Sequence, residues 1–373
     1  MDSEGPLTRE EAFDLVDRYI GSEGSVSSTQ EILDSGAVSR LKGYQVRPGK
    51  VSDCIFGSNG KYEDKLTGKQ VEFENPPLNT EDGRSIRGMV RTARISTHDI
   101  VRGDIPFKDQ ILALNHNYMR RMVQGVLGTS QFDVPGLEDS AVVIAAEDLT
   151  QVPFENVLRA YMAKSSTETS LYQHFIKGKR EFCGHKLPDN LIPNGVLPYV
   201  MDTPSTKSDE HDESVSAETL ARRGLVSRNQ YREIINGSLV GFGIVTQFAR
   251  GKGLIFVDTK TEHGINRDGK IVAQDELYTM DSSRFWLLND YNNQLDLLSS
   301  GEIDELKPVS YSKEFARGFS KGEEGYSDDQ RRQIAVRYIE GIQHLTGKRF
   351  VPDMRPRDER VIDGLQKIVG LAV

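Results

Sequence analysis

The sequence predicts an α+β protein, and three observations carry that prediction. Apolar runs of strand length, MVRTARIST (89–97) and AVVIAAEDL (141–149), flank a helical pattern, DQILALNHNYMRRMVQGVL (109–127). Further along, an amphipathic stretch from Ser227 to Gly253 is followed by two strand-like segments, LIFVDTKTEHGI (254–265) and KIVAQDELY (270–278). Finally, 373 residues with 37% hydrophobic content and 34 glycines describe a globular chain of two or three structural units. Such a chain buries its core without disulfide or metal staples.

The elements follow in order. Residues 8–20 place Ala12, Phe13, Leu15, Val16, Tyr19 and Ile20 on one helical stripe, behind a Thr8 cap with Glu11 three residues on. Residues 21–45 are rich in Ser and Gly and show weak periodicity. The run VRPGKVSDCIF (46–56) reads as β structure that breaks at Gly57–Gly60, where a hairpin turn is expected. Residues 61–87 read as a long polar loop. The two buried strands and helix come next and close a small α+β lobe near residue 150. VPFENVLRAYMA (152–163) is apolar and extended, Lys177 to Pro198 is rich in turns, and TPSTKSDEHDESVS (203–216) is a polar loop. Ser227 caps the long helix, and Gly251 and Gly253 stop it. Asp268-Gly269 turns one strand into the next, and QRRQIAVRYIEGIQHLTG (330–347) is the last helix.

Charge and cysteine content exclude several classes. The 47 Lys and Arg against 56 Asp and Glu leave a net charge of −9 with no long basic run, so nucleic acid is not an expected partner. The acidic start MDSEGPLTREEAF lacks a signal-peptide pattern, and no stretch of about 18 apolar residues offers a membrane span. Cys54 and Cys183 stand far apart, so neither a zinc ribbon nor a redox pair can be built from them. A cytoplasmic protein is the expectation.

Four segments could carry chemistry. Asp258, Lys260 and Glu262 alternate along one strand and so share a face, with Asp275 and Glu276 on the next segment. That pattern suits the solvated face of an edge strand. It equally suits Mg²⁺ held by one or two carboxylates and nucleotide phosphates, with Lys260 on a phosphate; the apolar LIFV and KIVA runs favour this interior reading. The loop Thr203–Glu213 mixes hydroxyls, Lys207, His211 and carboxylates, as a surface loop or a polar-substrate site does. Gly49-Lys50 permits close backbone approach and a phosphate contact, without P-loop spacing. Arg284, beside Ser282 and Ser283, offers a guanidinium fork for a phosphate ester or a simple salt bridge. GSLVGFG (237–243) has the wrong order for a dinucleotide fingerprint, and helix packing accounts for its glycines.

Taken together, GKVSD (49–53), RIS with Asp99, VPFENVLR, REFCG (180–184), TPSTKSDEHDESVS, LIFVDTKTEHG, DELYTMDSSRFW (275–286) and RYIEGIQHLTG (337–347) resemble the SAICAR synthetase family, in collinear order from about residue 46 to 350. The resemblance implies a two-lobed fold: a smaller β-rich N-terminal lobe (46–150), a larger α/β C-terminal lobe (151–350) and ATP between them, with extensions at 1–45 and 351–373. It implies an ATP-dependent amide ligase that joins L-aspartate to carboxyaminoimidazole ribonucleotide (CAIR) through an acyl phosphate in purine biosynthesis. Its cofactors are ATP and Mg²⁺, and a homo-oligomer is left open. By this match Lys50, Gly49, Asp258 and Glu155 serve ATP, and Glu262 and Asp275 hold Mg²⁺. Lys260, Lys207 and Asp212 are catalytic, and Arg159, Ser165, Arg284, Ser283, His211 and Asp99 bind substrate.

The chain departs from the family where Lys164 replaces a glycine, Ser52 an arginine and Ala93 an aspartate. At 164 a lysine must point away from the nucleotide or supply a phosphate contact. These departures leave two alternatives open: a paralogous ligase of another amine or carboxylated heterocycle, and a degenerate nucleotide-binding protein. The retained Lys50, Lys260, Glu262, Asp275 and Arg284 speak against the second.

Overall fold

The computed structural model describes residues 5–22, 24, 26–49, 51–64, 69–98, 100–207, 213–320, 322 and 324–373. Helix α1 (Arg9–Ser22) buries Ala12, Leu15 and Val16. Its start is reciprocally capped: Glu11 N donates to Thr8 Oγ1 at 3.2 Å, and Thr8 N to Glu11 Oε2 at 2.7 Å. Residues 21–45 hold a second helix, α2 (Thr29–Asp34), behind a Ser28–Glu31 capping box. Six residues are too few for a hydrophobic period to register, so here the cap was the only local signal.

The β structure that follows departs from the expected pairing. β1 (Val46–Arg47) and β2 (Ser52–Phe56) pair antiparallel, so the hairpin joins these two strands and is not formed across Gly57–Gly60. Gly49 is demanded by that hairpin, since a Cβ there would collide with the Ser52 carbonyl oxygen. Beyond it, β3 (Gly60–Asp64) and β4 (Lys69–Phe73) form their own hairpin where a loop was expected. β5 (Ile86–Arg91) takes the free edge of β2. The β6 (Arg94–Thr97) and β7 (Ile100–Asp104) hairpin, helix α3 (Lys108–Val123) and β8 (Val143–Glu147) complete this part, whose sheet runs β1-β2-β5-β8.

β9 (Thr150–Tyr161) opens a seven-stranded sheet. After α4 (Leu171–Ile176) and the small β10 (Glu181–Phe182) and β11 (His185–Lys186) hairpin come β12 (Val196–Asp202), β13 (Ser205–Thr206) and α5 (Ala217–Arg222). Helix α6 (Arg228–Gly251) starts at the expected Ser227 cap, which forms a capping box with Gln230, and Gly253 follows it at φ 71°. A Cβ at Gly241 would sit 2.5 Å from Tyr278 Oη, so that glycine serves close packing. β14 (Leu254–Ile265) and β15 (Ile271–Gln274) form the expected Asp-Gly hairpin. β16 (Ser283–Leu287), α7 (Leu288–Ser300), β17 (Ser310–Tyr311), α8 (Glu314–Arg317), α9 (Asp328–Thr346) and α10 (Arg357–Val369) finish the chain. The sheet order is β12-β9-β14-β16-β17, with β13 on β9 and β15 on β14; these ladders are antiparallel.

The two largest apolar clusters lie on the two main sheets. The larger joins α1, α3, α6 and α9 to one face of the seven-stranded sheet through Val16, Ile111, Phe242, Phe256, Phe285 and Ile339. The smaller packs α2 and α10 on the four-stranded sheet through Leu33, Ile55, Val143, Val361 and Leu365. Chain beginning and chain end are thus parts of the core. Among the described residues no helix is long and apolar enough to cross a membrane.

Candidate active site

The site is built on the sheet face that α6 does not cover. Phe256 of β14 and Phe285 of β16 are register partners, and Phe256 packs on Phe242 of α6. The ladder then slips between Phe256 and Asp258. This bulge turns Asp258 to the opposite face, opposite Arg284 on one neighbour and Arg159 on the other. Alternation carries Lys260 and Glu262 onto that same face, beside Glu155 of β9.

At one end lies an arginine–aspartate–arginine group. Arg159 Nη1 donates to Asp258 Oδ2 at 3.0 Å, Arg284 Nε donates to Oδ1 at 2.9 Å, and Arg284 Nη2 also donates to Asp258. Burial opposes the charge on Asp258, but Arg284 and Arg159 outweigh it and hold the carboxyl below its usual range. Both carboxylate oxygens are therefore taken, and Asp258 positions two guanidinium groups. Arg284 Nη1 reaches the Lys164 carbonyl at 2.9 Å and faces a cavity of about 390 Å³, lined also by Ser165, Ser166, Lys307 and Ser310.

The middle and far end are a charge ladder. Lys260 Nζ donates to Glu155 Oε1 at 2.6 Å and lies 3.9 Å from Glu262 Oε1, while Lys207 pairs with Glu262. Burial disfavours the ammonium of Lys260, but Glu155 and Glu262 raise its pKa. Asp275 faces Glu262 from the end of β15, in left-handed backbone at φ 60°. Burial first, and then the Asp275 charge, push Glu262 upward against the two lysines. Asp275 stays ionised: burial raises it, but Arg87 and Lys207 bring it below the usual carboxylate range. Two carboxylates crowded in this way, with oxygen donors only, suit a hard divalent cation such as Mg²⁺, which takes one or two carboxylates together with phosphates. The described residues contain no group of three or more His, Cys, Asp or Glu that would form an all-protein metal cage.

Not every expected residue stands where the sequence reading put it. Ser283 lies apart from the charged face: its hydroxyl meets Thr259 Oγ1 at 2.8 Å in the interior, because neighbours on a strand point to opposite faces and Arg284 takes the open one. Lys164 offers no free ammonium, since it pairs with Glu305, which also holds Lys307 at 2.7 Å. Lys50, Asp99, His211 and Asp212 lie outside the described residues. Burial pushes the thiols up, Cys54 to about 11 and Cys183 to about 12, which disfavours the thiolate form at both.

Other residues enter unannounced. Arg87 Nη2 donates to Asp275 Oδ1 at 3.1 Å, and Arg91 Nη1 to Glu276 Oε1 at 3.0 Å. Both belong to β5, four residues apart and hence on one face. Their signal was available: two cations inside an otherwise apolar strand need buried anions. Lys313 is a second omission, its pKa lowered by burial despite the charge of Asp281 nearby.

Comparison with known proteins places the chain. The family model described as SAICAR synthetase matches residues 79–333. A phosphoribosylaminoimidazole-succinocarboxamide synthase of Legionella pneumophila (strain Paris) is 33% identical over 293 residues, covering 76% of this chain and 90% of its own length. The chloroplastic enzyme of the same name from Vigna aconitifolia is 31% identical over 272 residues, covering 73% and 76%. Among solved structures, a SAICAR synthase from Saccharomyces cerevisiae complexed with SAICAR has a TM-score of 0.63 at 22% identity, covering 83% of this chain and 97% of that one. At that distance the likeness shows the fold, an α+β architecture shared across nearly the whole relative.

Proposed function

The chain belongs to the SAICAR synthetase family, and from that premise we infer that it carries out the family's ligation: L-aspartate is joined to CAIR at the expense of ATP, giving SAICAR, ADP and phosphate. It is an enzyme of purine biosynthesis. The observation that supports this reading best is the ordered charge on one sheet face, where Arg284 beside a cavity of about 390 Å³ adjoins Lys260 and then the Glu262–Asp275 pair.

That order matches what the reaction needs along one line. Arg284, steadied by Asp258, meets the ribonucleotide phosphate in the cavity together with Ser165; Arg159 shares the same anchor and acts on Arg284 through it. Lys260 sits between two carboxylates and is kept protonated, which suits it to gather the reacting carboxylate and a phosphoryl group. Glu262 and Asp275 would hold Mg²⁺, which when bound neutralises phosphate charge. Glu155 holds Lys260 in place, and Lys207 closes the polar end. Lys50, Asp99, His211 and Asp212 keep the roles that the family match assigns. The ATP site then falls between the lobes at 46–150 and 151–350. The carboxylate of CAIR accepts the γ-phosphoryl group, the amine of aspartate attacks the acyl carbon, and phosphate leaves as the amide forms.

A coupled ADP-release assay over a matrix of carboxylated imidazole nucleotides and amino acids tests the reading. ADP should appear only when ATP, CAIR and aspartate are all present. Turnover with a different amine or heterocycle, and none with this pair, would favour a paralogous ligase.

A further inference from the structure

The ion pair between Arg87 and Asp275 joins the four-stranded sheet to the residue assigned to the metal. Asp275 cannot easily turn away from it. Its backbone is in the left-handed region at φ 60°, Ala273 is bonded on both sides by Gly128 and Ser130, and Leu277 N donates to His116 Nδ1 at 3.1 Å. Arg87 is less confined. Its side chain is 9% exposed, Nη2 meets Asp275 Oδ1 at 3.1 Å, and its Nε is buried without a hydrogen-bond acceptor. The neighbouring pair is built differently, because Glu276 is shared between Arg91 at 3.0 Å and Thr279 Oγ1 at 3.0 Å. Arg91 also holds its carboxylate through one nitrogen, with Nε and Nη2 buried without acceptors among the described residues, so the two pairs differ at the carboxylate: Glu276 is shared with Thr279, and Asp275 is the one that has another use.

A divalent cation and a guanidinium cannot both take Asp275 Oδ1 without like charges facing each other at contact distance. Resting on the assignment of Glu262 and Asp275 to the metal, we propose that Arg87 is a built-in competitor of the divalent cation: it neutralises Asp275 in the resting protein and must give up that carboxylate when the cation enters. The pair therefore weakens the site for the free ion. It is relieved most readily when nucleotide phosphates arrive with the ion and offer the released guanidinium a new anion. The lysine on the other carboxylate competes less, since Lys207 is 35% exposed and water screens it.

The test is Mn²⁺ binding to the full-length protein without nucleotide, read by electron paramagnetic resonance of the free ion. Arg87→Gln should tighten Mn²⁺ by tenfold or more, Arg87→Lys should stay within threefold of the unmodified protein, and Asp275→Asn should weaken binding at least tenfold. Arg87→Gln that binds Mn²⁺ equally or more weakly, while Asp275→Asn still abolishes binding, overturns the competition and leaves the metal assignment standing. Asp275→Asn without effect overturns the metal assignment and the competition with it. Should Arg87→Gln not fold, the unmodified protein carries the same test. Its Arg87 guanidinium resonance, identified by its loss in Arg87→Lys, must shift on addition of Mg²⁺, and a resonance unmoved at saturation refutes the proposal.

Discussion

Arg284 and the Glu262–Asp275 pair show how much one residue decides at this site. Arg284 uses Nε and Nη2 on Asp258 and Nη1 on the Lys164 carbonyl, a geometry that a lysine cannot reproduce. Arg284→Lys should weaken ribonucleotide binding by about 1 to 3 kcal/mol and leave ATP binding nearly unchanged. Titration calorimetry with each ligand separates the two, and equal losses would remove Arg284 from the ribonucleotide site. Glu262 and Asp275 face each other across neighbouring strands with their charges only partly quenched. Glu262→Gln and Asp275→Asn should each lower ADP formation roughly 10²- to 10⁴-fold, the equivalent of several kcal/mol of lost charge stabilisation. Circular dichroism should show an unaltered fold, and near-normal turnover in both variants would end the metal assignment.

At the scale of elements, α3 and β14 each bury a histidine that the reaction does not use. His116 of α3 accepts from Leu277 N through Nδ1 and meets Gln131 Oε1 through Nε2 at 2.8 Å, so its neutral form tethers the segment carrying Asp275. Burial, and then Arg91, lower it to about 3. His263 of β14 has no hydrogen-bond partner for either ring nitrogen among the described residues, and burial lowers it to about 4. Both folded values lie below the unfolded value of about 6.5, so the unfolded chain binds more protons in between. This contribution is fully present above about pH 6.5 and is lost progressively as pH falls toward 4 and then 3. Urea unfolding should show a loss on the order of 4 kcal/mol between pH 7 and pH 5 from the two groups together. His185, raised mainly by its hydrogen bond to Asp202, acts in the opposite sense. The slope must therefore be judged against His263→Leu, where it should shrink; an unchanged slope would show that His263 is not held neutral.

Across the whole molecule, the chain end returns to the sheet formed near the chain start. Val361 and Leu365 of α10 are fully buried and Ile368 is 1% exposed, packed with Leu33 of α2 and with Ile55 and Val143 of the four-stranded sheet. At about 1.5 to 3 kcal/mol for each such side chain, removing residues 357–373 should cost on the order of 5 kcal/mol or more. That is comparable with the roughly 5 to 15 kcal/mol that holds a typical domain together. The truncated chain should melt far below the full one or fail to stay soluble. A melting temperature within a few degrees would mean that α10 is dispensable, and the last residues would then be an appendage.

What the sequence determined by itself was local. Caps at Thr8 and Ser227, the Asp268-Gly269 turn and the alternation of Asp258, Lys260 and Glu262 are written in neighbouring residues, and the structure places each element there. The family motifs also name most of the charged site. The tertiary structure decided what depends on partners remote in the chain: that β2 pairs with β5 and β1 and not with β3, and that Ser283 turns inward while Arg284 turns out. It also decided that Arg87 finds Asp275, 188 positions away. Strand pairing and ion pairing depend on distance in space, and a single sequence records only distance along the chain. The bulge between Phe256 and Asp258 shows the limit well. One slipped residue carries a carboxylate from the helix-covered face of the sheet to the open one, and nothing in LIFVDTKTEHG announces it.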